Sequence, residues 1–263
     1  MALVPVILVI AATDSSGGAG IASDIKTASF LNVSTALAVT AMTAQTHEKV
    51  LKIRLVPSQF VVEQLATALK ANSIRVVKIG MTGRKDIIKS ISIFFKNYPD
   101  LPIIFDPVLA ASSGKRLFHG SIRASILHNL LPLVKLITPN LAELAYLTGC
   151  EEAKNREQAI KQGEALIRLG ASSVLVKGGH AKGAWATDYL VLNDLTRVSF
   201  SHKRLNASMR GTGCILSTAI SANLALGFSL YESVGRAKQH LFEILQRKVK
   251  DEVSSLMLGR LEL

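Results

Sequence analysis

Short apolar runs rich in Val and Ile alternate along this chain with longer segments whose apolar positions recur every three to four residues. The short runs predict strands at Val6–Ala11, Ala36–Val39, Val76–Ile79, Ile103–Phe105, Leu136–Thr138 and Val174–Val176. The periodic segments predict helices at Ile21–Leu31, Phe60–Ala71, Asp86–Asn97, Ile122–Leu131, Leu141–Leu147 and Arg156–Leu169. Such alternation implies βαβ crossovers and a mainly parallel sheet flanked by helices. Thr187–Leu192 and Arg197–Phe200 read differently, because Asn193-Asp194-Leu195-Thr196 between them is turn-like, and they predict an antiparallel hairpin at one sheet edge. Two further helices, Cys214–Leu226 and Leu230–Lys250, follow. No linker, repeat or low-complexity tract interrupts residues 1–263, so a single α/β domain is expected.

Composition sharpens this picture. Hydrophobic residues make up 49% of the chain and aromatics only 5%, so the core is aliphatic, as suits parallel strands buried on both faces. The net charge of +12 would attract anions, but a basic solvated surface with no dedicated partner is the favoured reading. The Lys and Arg residues are scattered, and no recognition motif or aromatic stacking platform accompanies them, so no nucleic-acid partner is expected. The apolar stretch from Val4 to Ala12 is too short to span a bilayer and lacks the basic flank of a signal peptide. No membrane partner is therefore expected. Cys150 and Cys214 are far apart in sequence with no Cys-x-x-Cys pairing, which fits reduced thiols in a cytoplasmic protein.

Ligands of open α/β sheets bind beyond the C-terminal ends of the strands. Asp14 and Gly17 to Gly20 follow the first predicted strand, and Gln45 the second. Gly80 and Met81, Asp106, then Asn140 and Glu143, then Lys177 to Gly179 follow the later ones. Gly18-Ala19-Gly20 hints at a dinucleotide site, but Ser23 holds the third glycine position and Val33 to Thr46 contains no acid to bind a ribose. A nicotinamide cofactor is excluded, and so is a P-loop, whose Gly-x-x-x-x-Gly-Lys signature is absent. Gly211-Thr212-Gly213-Cys214 precedes the predicted helix Cys214–Leu226, whose free N–H groups attract anions and favour a thiolate. A tight turn with a buried cysteine is the plainer reading of the same residues.

These blocks resemble the hydroxymethylpyrimidine and phosphomethylpyrimidine kinases of the ribokinase-like superfamily. The likeness runs in order through Ala12-Thr13-Asp14-Ser15-Ser16-Gly17-Gly18-Ala19-Gly20-Ile21, Lys78-Ile79-Gly80-Met81, Asp106-Pro107-Val108, Thr138-Pro139-Asn140-Leu141-Ala142-Glu143, Lys177-Gly178-Gly179-His180 and Gly211-Thr212-Gly213-Cys214. The resemblance implies a three-layer ribokinase-like fold and an ATP- and Mg²⁺-dependent kinase of thiamine pyrimidine biosynthesis, acting as a homodimer. Within it, Cys214 would serve as base, and Gly211, Thr212 and Gly213 as the anion hole. Lys177, Asn140 and Thr212 would bind nucleotide, and Glu143 and Asp106 would lie at the metal. Gln45, Asp24, Met81 and Val108 would line the pyrimidine pocket, the carboxamide of Gln45 matching a ring nitrogen beside an amino group. From the residues alone, Asp24 reads equally as a first-turn helix acid. A pyridoxal kinase and a catalytically weak binding module are the alternatives. The chain departs from the family pattern at Ala12, Ser15, Ser112 and Arg210, and Arg210, beside Gly211, is placed to add a phosphate contact.

Overall fold

The computed structural model describes residues 4–111, 113–179, 183–207 and 209–258, the last eight of them as backbone only. Ser112 and His180, singled out above, lie outside the described residues. The strands form one nine-stranded sheet. They are β1 (Val6–Ala12), β2 (Ser34–Gln45), β3 (Val50–Leu55), β4 (Ile74–Ile79), β5 (Ile103–Phe105), β6 (Leu136–Ile137), β7 (Ser173–Val176), β8 (Trp185–Leu192) and β9 (Arg197–Lys203). Their order is β3-β2-β1-β4-β5-β6-β7-β8-β9, parallel from β2 to β7 and antiparallel at both ends.

Side chains on successive strand residues point to opposite faces, and each face has its own core. Leu8, Ile10, Val77, Ile79, Ile103, Phe105 and Val174 pack against α2 (Ser58–Ala71), α3 (Lys85–Phe95), α5 (Leu141–Thr148) and α6 (Arg156–Arg168). Ile7, Val9, Ala11, Val76, Ile104 and Leu175 pack against α1 (Gly20–Phe30), α7 (Thr212–Ala225) and α8 (Leu230–Leu258). This is the three-layer arrangement expected.

Several elements differ from expectation, among them α8, which runs to Leu258 rather than Lys250. β2 runs for 12 residues rather than four, and its second half pairs with β3, which was not foreseen. The extra length is exposed on one side at Met42 and Ala44, so no continuous apolar run marks it. The helix expected over Ile122–Leu131 is a single α-turn, α4 (Arg123–Ser125), then a π-turn at Ile126–Leu130 and a 3₁₀ turn at Leu131–Leu133. Pro132 has no N–H to continue an α-helical ladder. Strand β6 stops at Ile137, one residue early, and the Thr138 hydroxyl turns toward Asp106 at 3.2 Å. Beside β1 the strand order changes direction, with β2 on one side and β4 on the other. Such switch points open a crevice at the strand ends.

Candidate active site

A cleft of about 730 Å³ occupies that crevice. It is lined by Cys214 and Gln45 together, with Gly211, Thr212, Gly213, Met81, Val108, Asp106, Asn140, Glu143 and Lys177. The sequence-predicted site residues thus converge on one hollow, with the exception of Asp24.

Helix α7 supplies one wall. Its cap, Gly211, has φ +75°, a conformation that glycine adopts without strain. A Cβ there would also overlap the carbonyl oxygen of Gly18, so the glycine lets two loops touch. No side chain caps this helix. The amides of its first turn remain for a ligand, which is what an anion hole needs. Cys214 lies in that turn and is half-buried. Burial pushes its thiol up to about 11, against the lowering pull of Lys78. Loss of water is the largest influence on this thiol and runs against the lowering expected at a helix start.

The strand ends supply the charged floor. The Lys177 ammonium donates to Asp106 Oδ1 at 2.7 Å and lies 3.7 Å from Glu143 Oε2. Thr138 and Ser217 also donate to Asp106, at 3.2 and 3.3 Å. Asn140 and Glu143 cap α5 reciprocally, each accepting the other's backbone N–H at 2.8 Å. Burial, with Asp106 adding to it, raises the Glu143 carboxyl to about 7 against the pull of Lys177. Lys177 itself is held well above the ordinary lysine range; burial lowers it, but Asp106 and Glu143 more than compensate. A cation beside Glu143 would relieve this strain. Among the described residues no three His, Cys, Asp or Glu side chains converge as a metal cage. Two carboxylates with room for water and phosphate oxygens match the donor set magnesium accepts.

The remaining wall comes from the ends of β1, β2 and β4. Thr40 donates to the Met81 carbonyl at 2.6 Å and fixes that loop under the cleft. Ser15 was noted only as a departure, yet it clamps the end of β2. Its hydroxyl accepts the Gln45 N–H at 2.8 Å and donates to the Gln45 carbonyl at 2.9 Å. Arg210, expected to add a phosphate contact, lines the cleft and spans two loops. It donates to Ser16 Oγ at 3.0 Å and the Thr46 carbonyl at 2.8 Å, and reaches Asp14 at 3.4 Å.

Asp24 is corrected on both readings. It lies outside the first turn of α1 and does not line the cleft; it is sealed beneath it, accepting from Lys78 at 2.8 and 2.9 Å and from Thr218 at 2.7 Å. Lys78 and the buried pair Asp188–Lys238, 2.6 Å apart and also at the cleft, were missed as charged groups. A lysine inside the apolar run of β4 was the available signal for the first. Nothing local marked the second, whose members stand 50 residues apart.

Comparison with known proteins agrees with this geometry. The family model for phosphomethylpyrimidine kinase matches residues 14–255. A hydroxymethylpyrimidine/phosphomethylpyrimidine kinase of Rhizobium meliloti is 41% identical over 235 residues, 89% of this chain and 88% of that one. The crystal structure of phosphomethylpyrimidine kinase from Clostridium difficile superposes with a TM-score of 0.79 at 33% identity, covering 91% of this chain and 99% of the other. Pyridoxal kinase from Staphylococcus aureus, in complex with AMP-PCP and pyridoxal, gives 0.83 at 26% identity over 92% and 88% of the chains. The fold likeness embraces both kinases, and the sequence identity is higher toward the pyrimidine enzymes. With the family model spanning most of its length and its motif residues gathered in one cleft, the chain belongs to the phosphomethylpyrimidine kinase family.

Proposed function

We propose that this protein phosphorylates 4-amino-5-hydroxymethyl-2-methylpyrimidine with ATP and Mg²⁺, and then phosphorylates the resulting monophosphate. The observation that carries the reading is the joint presence of Cys214 and the Gln45 carboxamide in one cleft with an uncapped helix start. Magnesium–ATP, when bound, supplies the phosphoryl group and a cation that offsets its charge; Glu143 and Asn140, through water, and Asp106 would hold it. The protein's own residues position and stabilise, which is most of what phosphoryl transfer demands. The amides of Thr212, Gly213 and Cys214 would stabilise charge on the transferring group. Lys177 would approach the nucleotide phosphates and hold Asp106 in place. Cys214 Sγ would take the proton of the attacking hydroxyl. Gln45 would read the aminopyrimidine edge, with Met81 and Val108 as apolar walls.

The test is turnover by the purified protein with ATP, Mg²⁺ and the pyrimidine, the products followed by mass. Cys214→Ala is expected to lower kcat by at least about a hundredfold, the usual scale of general-base catalysis. Turnover no faster than this variant overturns the assignment. The fold likeness to pyridoxal kinase supports a second reading, separated by side-by-side kcat/KM for the two acceptors. Gln45→Leu is expected to cut aminopyrimidine use far more than pyridoxal use. We also propose a homodimer, on the family resemblance; light scattering tests it.

A further inference from the structure

Lys78 sits in β4 among Val76, Val77 and Ile79, and all four are buried. Taking an ammonium out of water costs several kcal/mol, and a buried ion pair rarely stabilises more than an apolar pair would. The pair with Asp24 is therefore poorly explained as a stabilising device. Its placement accounts for it better. Lys78 lines the cleft at its floor, and a Cβ on Gly80 would lie 3.1 Å from its Nζ, so glycine leaves the ammonium its room. Both Asp24 oxygens accept from Nζ, and Thr218 Oγ1 fixes Asp24 from α7. Thr218 is one helical turn beyond Cys214, on the same face of α7. The hydrogen-bonded chain from Lys78 through Asp24 thus ends in the turn next to the sulfur.

We infer that Lys78 is a positioning residue for phosphoryl transfer: its ammonium, fixed by Asp24 and Thr218, stabilises the thiolate of Cys214, and Asp24 moderates that effect. This rests on the reading of Cys214 as the group that takes the proton. The charged groups acting on the sulfur are Lys78 from β4, Lys177 after β7, Asp24 from α1 and Asp106 after β5. The cations favour the thiolate and the carboxylates oppose it. Of the four, Lys78 and Asp24 direct their hydrogen bonds to each other and to Thr218 rather than to the Lys177–Asp106–Glu143 cluster that would face the nucleotide.

The experiment is alkylation of the ligand-free full chain by iodoacetamide across pH, in a Cys150→Ser background that leaves Cys214 as the single thiol. Rates are read by mass. At a pH well below the thiol's titration the rate follows the thiolate fraction, so one pKa unit is a tenfold change. Lys78→Met is expected to slow alkylation by about tenfold or more, Asp24→Asn to speed it by a similar factor, and Lys78→Arg to stay near the parent. A purely structural role would loosen the cleft in both single variants and move both rates the same way. That outcome, or an unchanged pH profile in Lys78→Met, overturns the inference. Should Lys78→Met fail to fold, the charge-free double variant Lys78→Met/Asp24→Asn decides: a rate below the parent supports the inference, a rate at or above it refutes it. Failure of the Cys214 role itself would show separately, as undiminished turnover in Cys214→Ala.

Discussion

At the residue scale, the floor of the cleft ties function to pH. Glu143 has its folded value raised to about 7 from an ordinary 4.5, so folding favours its protonated form. The sign follows: the stability this gives is present below 4.5 and is lost as pH rises through 7. Glu143→Gln cannot titrate. Relative to the parent, the ligand-free variant is expected to gain about 1 to 3 kcal/mol between pH 4.5 and 7, read by urea denaturation at each pH. It is also expected to lose magnesium–nucleotide binding, so stability and function part company at one carboxyl. Ser15 makes the opposite case, where a small side chain helps both. Removing its hydroxyl leaves the Gln45 backbone polar groups to water and frees the strand end, and Ser15→Ala is expected to cost about 1 kcal/mol and raise KM for the pyrimidine several-fold. Unchanged KM in steady-state kinetics would refute the clamp. Ser15 was legible only as an oddity, because its partner lies 30 residues away and hydrogen bonds of that span leave no periodic trace.

At the element scale, the middle of the sheet and its β8–β9 edge were readable and the β2–β3 edge was not. β5 was predicted to the residue and β1, β4 and β7 to within two, because strands buried on both faces appear as unbroken apolar runs. β3 does carry the alternation of a half-buried strand in Lys52-Ile53-Arg54-Leu55, but it is not the unbroken apolar run by which the central strands stand out. Site residues were legible where a motif placed them at a strand end or helix start, as with Asn140, Lys177 and Cys214. Asp24 was misplaced because sequence shows which turn a side chain occupies but not what lies beneath it. The hairpin β8–β9 depends on adjacent glycines with contrasting surroundings. A Cβ on Gly178 would overlap the carbonyl oxygen of Thr187, whereas one on Gly179 would meet nothing within 4 Å among the described residues. Gly178 also donates its N–H to Asp188 at 2.8 Å, the same carboxylate that holds Lys238 of α8. Gly178→Ala is expected to cost several kcal/mol as the hairpin shifts, and Gly179→Ala to stay within about 0.5 kcal/mol, compared by thermal melts.

At the scale of the whole molecule, the site is a seam between layers. The cleft draws residues from β1, β2, the loops after β4, β5 and β7, and the start of α7. Ligand binding should therefore brace the entire domain. Magnesium with AMP-PCP at a hundredfold excess over Kd is expected to add about 2.7 kcal/mol to unfolding, and Lys177→Met to abolish the gain. Among the described residues no helix is long and apolar enough to cross a membrane. Helix α7, which carries Cys214, has a further consequence through its position in the chain. By Lys203 the ribosome has made all nine described strands, yet Ile7, Val9, Ala11 and Val76 still await their cover from α7 and α8. The nascent protein is a half-clad sheet, open to chaperones or to self-association, until α7 and α8 emerge. Protection from aggregation and the capacity for chemistry then arrive in a single docking event.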